Sequence, residues 1–85
     1  MTAAAQSAFI PEVFALGTED GRLYVVDLRY PGRFVDRFEL SAQRLISVQF
    51  SPSHQDVVMG ASVDGQVRLY RFGYRSMQLL DLSAN

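Results

Sequence analysis

A sixteen-residue pattern occurs twice in the chain, and its two copies lie forty-four residues apart. Residues 13–28 align without a gap on residues 57–72, and three positions are identical: Val13/Val57, Asp20/Asp64 and Gly21/Gly65. Each copy reads as an apolar strand, a small residue and a hydroxyl, an Asp-Gly turn, and an alternating strand. A period in the low forties with one Asp-Gly hairpin per unit indicates a repeat architecture of small antiparallel sheets. Such units stack and present surface, and they seldom carry out chemistry.

Alternation outside the repeat predicts further strands. Residues 34–40 and 45–50 each place apolar side chains on one face, and residues 77–82 form a last apolar segment. With the strands of the two hairpins, we expect about seven strands, no helix and an all-β fold. Residues 1–8 are small and featureless, and we expect them to form a flexible leader.

Composition limits the class of protein. The chain is 48% hydrophobic and 20% charged, which is typical of a globular domain, and its net charge is only −1. No basic field favours nucleic acid or anionic lipid, no cysteine is present, and no apolar run approaches the ~18 residues of a membrane helix. We therefore expect an intracellular protein, cytoplasmic or nuclear, that binds neither nucleic acid nor a membrane.

Residues that could support catalysis are few. His54 is the only histidine, and the chain has no Gly-x-Ser-x-Gly elbow and no glycine-rich phosphate loop. Asp20 and Asp64 could be acids or metal ligands, but each precedes a glycine and fits a hairpin turn. We predict no enzyme activity, no catalytic residue, no cofactor and no metal.

Residues 45–52, followed by residues 57–70, resemble a repeat of the WD-repeat β-propeller family. The shared features are an inner strand that ends Phe-Ser-Pro, a second strand that ends in a hydroxyl residue, an Asp-Gly turn and a third strand that ends in an aromatic residue. The first copy resembles the same unit from its second strand onward. The resemblance implies an incomplete β-propeller of antiparallel four-stranded blades, one complete and one partial. The partial blade would have three strands over residues 9–40, and the full blade would occupy residues 41–85.

The family often ties each blade together with a hydrogen-bonded His, Ser or Thr, Asp and Trp. The turn residues that match are Thr18, Asp20 and Gly21 in the first copy and Ser62, Asp64 and Gly65 in the second. Leu40-Ser41 replaces the family's Gly-His, while Val26-Asp27 and Tyr70-Arg71 replace its Trp-Asp. The resemblance therefore implies degenerate blades that lack about half of this network.

The same resemblance implies a non-catalytic module for protein–protein interaction or scaffolding. Propellers close with ~4–8 blades, so two units leave sheet edges open. Other proteins, further repeats of the same kind or a second copy of the chain could pair with these edges. The alternative is a structural fragment of a larger propeller protein with no separate activity.

One spacing suggests a more specific interaction. Asp20, Asp27 and Arg29 resemble the box of cullin–RING ligase substrate receptors, in which an exposed Asp-x-Arg docks on the adaptor. Val26 departs from that box, which has Trp or Tyr at this position. In the simpler alternative, Arg29 pairs with Asp27 or with water. Arg71 is a further candidate for binding a partner.

Overall fold

The computed structural model describes residues 2–74 and the backbone of residues 78–79, and all of its regular structure is β. The strands are β1 (Ala3–Gln6), β2 (Val13–Gly17), β3 (Arg22–Asp27), β4 (Arg33–Phe34), β5 (Asp36–Glu39), β6 (Leu45–Phe50), β7 (Val57–Ser62), β8 (Val67–Arg71) and β9 (Gln78–Leu79). Sheet 1 has the order β1-β2-β3-β5, sheet 2 has the order β6-β7-β8, and β4 pairs with β9. All pairs are antiparallel, and the two sheets do not close into a ring. The predicted all-β fold of antiparallel sheets is confirmed, and two sheets that do not close are consistent with a partial propeller.

No helix in the described part of the chain is long and apolar enough to cross a membrane.

Strand β1 lies within the segment predicted to be a leader. Ala3 pairs with Gly17 in β2, and the Thr2 hydroxyl donates a hydrogen bond to the Leu45 carbonyl oxygen at 2.5 Å. The prediction of a flexible leader is wrong for residues 3–6, because main-chain bonds to β2 hold a segment whose alanines give little apolar signal. Sheet 1 consequently has four strands where three were expected.

Sheet 2 has three strands in the described part of the chain. Its expected fourth strand, residues 77–82, lies outside the described residues except for 78–79, which pair with β4 of the first unit. Among the described residues, the four-stranded sheet therefore belongs to the first unit, whereas the sequence predicted four strands for the second. The predicted single strand over residues 34–40 is also two strands, because the Val35 amide turns in to donate to the Val25 carbonyl oxygen at 2.6 Å.

The forty-four-residue repeat is reproduced bond by bond in the main chain. Ser7 N donates to Val13 O at 2.8 Å, and Ser51 N donates to Val57 O at 3.0 Å. The Ser7 hydroxyl accepts from the amides two and three residues later, and the Ser51 hydroxyl does the same. Both are serine turns of the same type. The repeat thus begins at least six residues before the position at which the aligned sequences first match.

The two sheets pack face to face around one core. Sheet 1 contributes the fully buried Leu23 and Val25, and sheet 2 contributes Leu45 and Val58. Gly60 permits the close approach, since a Cβ there would lie 2.9 Å from a terminal methyl of Leu23. At the outer edge, Phe38 of sheet 1 stacks on Tyr70 of sheet 2, with ring centroids 4.2 Å apart. The faces of the two sheets that meet in this stack are covered, and the opposite face of each sheet is not covered by the other sheet.

Candidate interaction surface

The two Asp-Gly turns have the same internal geometry. The Thr18 hydroxyl donates to the Asp20 carboxylate, and the Ser62 hydroxyl donates to the Asp64 carboxylate. Gly21 has φ +84° and Gly65 has φ +90°, a conformation that favours glycine. In each turn the hydroxyl bond lowers the pKa of the aspartate below its ordinary value. The turn residues selected from the sequence are brought together within each hairpin.

Ser41 adds a member to the second network. Its hydroxyl donates to the other Asp64 carboxylate oxygen at 3.0 Å, from the position at which the resemblance expects histidine. The Ser62 and Ser41 hydroxyls both lower the pKa of Asp64. The second unit therefore retains a shortened version of the network, and the sequence shows only that the histidine is missing.

Asp27 is buried, with 2% of its surface exposed. Its carboxylate accepts hydrogen bonds from Arg29 Nη2 at 2.6 Å, from Arg29 Nε at 3.0 Å and from the Tyr74 hydroxyl at 2.7 Å. The Arg29 amide also donates to it at 3.0 Å. The Arg29 guanidinium holds the pKa of Asp27 well below its usual range, with help from Tyr74. Burial and the bond to Asp27 raise the pKa of Tyr74 to about 12.

The expectation of an exposed Asp-x-Arg pair is wrong at Asp27. Position 27 follows the buried alternation of β3 and faces the core, so its carboxylate is covered. Arg29 is half-exposed, but its guanidinium is directed back onto Asp27. The geometry matches the simpler alternative, an internal ion pair, and gives no support to adaptor docking through this box.

Arg71 occupies the position in the second copy that corresponds to Asp27. Its Nε lies 3.2 Å from an oxygen of Asp56, and both side chains are largely exposed. An exposed ion pair of this kind contributes little to stability. One repeat position thus holds a buried carboxylate in sheet 1 and an exposed cation in sheet 2.

The same contrast extends along the strand. Leu23 and Val25 are 0% exposed, whereas the corresponding Val67 and Leu69 are 61% and 69% exposed. We call Val67, Leu69 and Arg71 the open face of sheet 2. This exposed face could not be predicted from the sequence. The corresponding residues of β3 and β8 have the same alternating pattern, and they differ only in whether another sheet covers them.

The opposite side of the stack has its own open face. Phe14 and Leu16 of β2 point away from sheet 2 and are only partly buried. Their counterparts in sheet 2, Val58 and Gly60, are buried against sheet 1. We call Phe14 and Leu16 the open face of sheet 1. Each end of the two-sheet stack therefore presents apolar side chains, as sites of protein contact commonly do.

The polar residues that could support catalysis or bind a metal do not come together in one site within the described part of the chain. The Ser53 hydroxyl lies 3.0 Å from His54 Nδ1, but both residues are exposed in the loop before β7. Within residues 2–74, no three His, Asp or Glu side chains are grouped so as to hold a metal ion.

The chain is similar to part of the dynein intermediate chains. It is 30% identical over 61 residues to dynein axonemal intermediate chain 1 of Bos taurus, covering 72% of this chain and 9% of the relative. It is 27% identical over 64 residues to dynein intermediate chain 2, ciliary, of Heliocidaris crassispina, covering 75% of this chain and 9% of the relative. The chain thus spans about a tenth of the length of the curated relatives it matches. No family model matches the chain.

Proposed function

We propose that this chain is a non-catalytic protein-interaction module built from WD-like repeats, of the kind that a dynein intermediate chain would contain. One observation carries the proposal. Two sheets repeat the same hydrogen bonds at a spacing of forty-four residues, and the stack ends in an apolar face on which Val67 and Leu69 are mostly exposed. Repeats that stack in this way present extended surfaces to other proteins.

The polar residues support a structural role. The hydroxyls of Thr18 and Ser62 are engaged with the aspartates of their own turns, and Arg29 is engaged with Asp27. These groups stabilise the hairpins and the core. Arg71, at the end of the open face of sheet 2, is the arginine we assign to partner binding, because an exposed guanidinium can bind a carboxylate or an aromatic ring of a partner.

A pull-down from an axonemal extract that contains dynein tests the proposal. The immobilised chain should retain dynein subunits, and Arg71→Ala should retain less of them. Arg68→Ala is the matched control, since Arg68 lies on the same strand with its guanidinium bonded to Gln66 at 3.2 Å. If the chain retains nothing above bare resin, the proposal is refuted. Equal retention by both variants would remove Arg71 from the binding site.

Arg29→Ala has a separate use. Arg29 neutralises a buried carboxylate, so a loss of binding in this variant would have to be compared with its loss of stability. If Arg29→Ala remains folded and retains the same extract proteins as the wild type, the Arg29 guanidinium is not needed for their binding, as the internal ion pair with Asp27 implies.

The second candidate function is a structural one, in which these sheets are one part of a larger propeller and have no separate activity. The small share of the relatives that the chain covers favours it. A chain that aggregates or unfolds on its own, as followed by light scattering after size exclusion, would support this candidate over the interaction module.

A further inference from the structure

We propose that the open face of sheet 2 binds the open face of sheet 1 of a second copy of this chain, stacked as the two sheets are stacked within one copy. The inference rests on the proposed interaction module and names the partner of its apolar face. The choice of a second copy as the partner follows from the chain itself. Sheet 1 already packs on sheet 2, and the residues of that internal interface lie forty-four positions from the residues of the two open faces.

The internal interface supplies the template. Leu23 of sheet 1 contacts sheet 2 at Gly60, and Asp27 of sheet 1 accepts a hydrogen bond from Tyr74, which follows sheet 2. Advancing each contact by one repeat of forty-four residues takes Leu23 to Val67 and Asp27 to Arg71. It takes Gly60 and Tyr74 to Leu16 and Tyr30 of the second copy.

The residues brought together in this way are chemically compatible. Val67 would face Leu16. In the internal interface a large Leu23 lies beside Gly60, whereas here a smaller Val67 would lie beside a larger Leu16, so the space between the sheets would still be filled. Leu69 would lie beside Phe14, since these correspond to the buried Val25 and Val58 of the internal interface. Both contacts remove apolar surface from water.

The polar contact is compatible as well. Arg71 would meet Tyr30, which is 45% exposed and whose ring centroid lies 5.9 Å from the Arg29 guanidinium. A guanidinium within about 6 Å of an aromatic ring is attracted by the negative face of that ring, and the charge of Arg29 is already neutralised by Asp27.

The geometry also fixes the symmetry of the assembly. Two different faces meet, so the contact is head-to-tail, and such contacts close into rings when the rotation allows. Since propellers close with about four to eight blades and each copy supplies two sheets, a closed ring would contain about two to four copies.

Size-exclusion chromatography with light scattering tests the proposal on the full chain, with Val67→Arg and Val63→Arg as a matched pair. Both valines are exposed, at 61% and 49%, and lie on the same hairpin, but only Val67 belongs to the open face. The wild type and Val63→Arg should form a discrete oligomer, and Val67→Arg should elute as a monomer of 9.5 kDa. A monomeric wild type at about 1 mM, where even contacts of millimolar Kd are populated, would overturn the proposal. So would an oligomer that Val67→Arg leaves intact.

A mixing experiment tests the head-to-tail arrangement. Val67→Arg keeps the open face of sheet 1, and Leu16→Arg keeps the open face of sheet 2, so each alone should be monomeric. Mixed in equal amounts, they should form a dimer that grows no further. Continued growth, or oligomers of Leu16→Arg alone, would contradict the arrangement. Leu16 is partly buried, so Tyr30→Arg replaces it if circular dichroism shows that Leu16→Arg is unfolded.

The two proposals fail separately. A monomeric wild type that still retains dynein subunits would overturn the second-copy inference and leave the interaction module standing. A discrete oligomer that Val67→Arg dissociates, but that retains no protein from the extract, would leave the second-copy inference standing and refute the proposed binding of dynein subunits.

Discussion

Replacing Arg29 with alanine removes the cation that neutralises a buried carboxylate. Asp27 would keep its bonds from the Tyr74 hydroxyl and from the residue-29 amide, but would lose all three guanidinium bonds. Leaving a buried charge unpaired costs about 3–5 kcal/mol, and hydrogen bonds to charged groups are worth about 1.5–3 kcal/mol. Arg29 is half-exposed, so water can enter its place, and we expect a loss of about 2–3 kcal/mol in the free energy of unfolding at pH 7. For a domain of this size, the corresponding fall in Tm is roughly 10–20 °C.

The loss should depend on pH in a defined direction. In the wild type the folded pKa of Asp27 lies below its unfolded value of about 3.9, so its contribution is present above that pH and is lost as the pH falls. Without Arg29, burial acts on Asp27 with less opposition and its folded pKa rises. The difference in stability between the two proteins should therefore grow as the pH increases from about 3 to about 6.

Urea denaturation followed by far-ultraviolet circular dichroism measures both effects. Arg71→Ala is the control, because its ion pair with Asp56 is exposed and its loss should change stability by less than about 0.5 kcal/mol. In an Asp27→Asn background, Arg29→Ala should cost much less than in the wild type. If Arg29→Ala destabilises no more than the control, or by the same amount at every pH, the reasoning about the buried pair is refuted.

Three other perturbations have defined outcomes. Gly21→Ala should destabilise by at least about 2 kcal/mol more than Gly65→Ala, because both glycines have positive φ but only at residue 21 would a Cβ meet main-chain oxygens; equal urea midpoints would contradict this. Phe38→Leu should lose about 0.5–1.5 kcal/mol beyond the change in buried area, because Phe38 stacks on Tyr70; a double-mutant cycle with Tyr70→Leu should return that coupling, and additive losses would refute it. A spectrophotometric titration of wild type minus Tyr74→Phe should show ionisation near pH 12, with stability falling as the pH rises from about 10 towards that value; a transition near pH 10 would contradict the burial of this hydroxyl.

The hairpins could be predicted from the sequence because their determinants are local. The Asp-Gly turns at residues 20 and 64 require positive φ at the glycine, and alternation in β3 identifies its buried side. The same residues correctly indicate antiparallel sheets. Strand β1 could be located only through the repeat, since three alanines have neither the apolar contrast nor the β propensity of a typical strand.

Burial at corresponding positions could not be predicted in this way. Val25 and Leu69 lie in matching strands, yet one is enclosed and the other mostly exposed, because a second sheet covers only one of them. Asp27 shows the same limit, since nothing in its neighbouring residues indicates that Tyr74 will reach it from forty-seven positions away. Contacts between sheets depend on topology, and the local pattern of one strand does not contain it.

The connection between the two sheets is made by the main chain. The amides of Leu40 and Ser41 both donate to the Gly21 carbonyl oxygen, at 3.0 and 3.2 Å, and the Leu45 amide donates to Thr18 O at 3.0 Å. Every residue except proline supplies such an amide, so the side chains along this connection can change during evolution while the main-chain hydrogen bonds between the sheets are kept. Sequence alignment compares side-chain identities and does not detect these main-chain hydrogen bonds. Distant relatives of this domain should therefore be easier to find by superposing backbone structures than by aligning sequences.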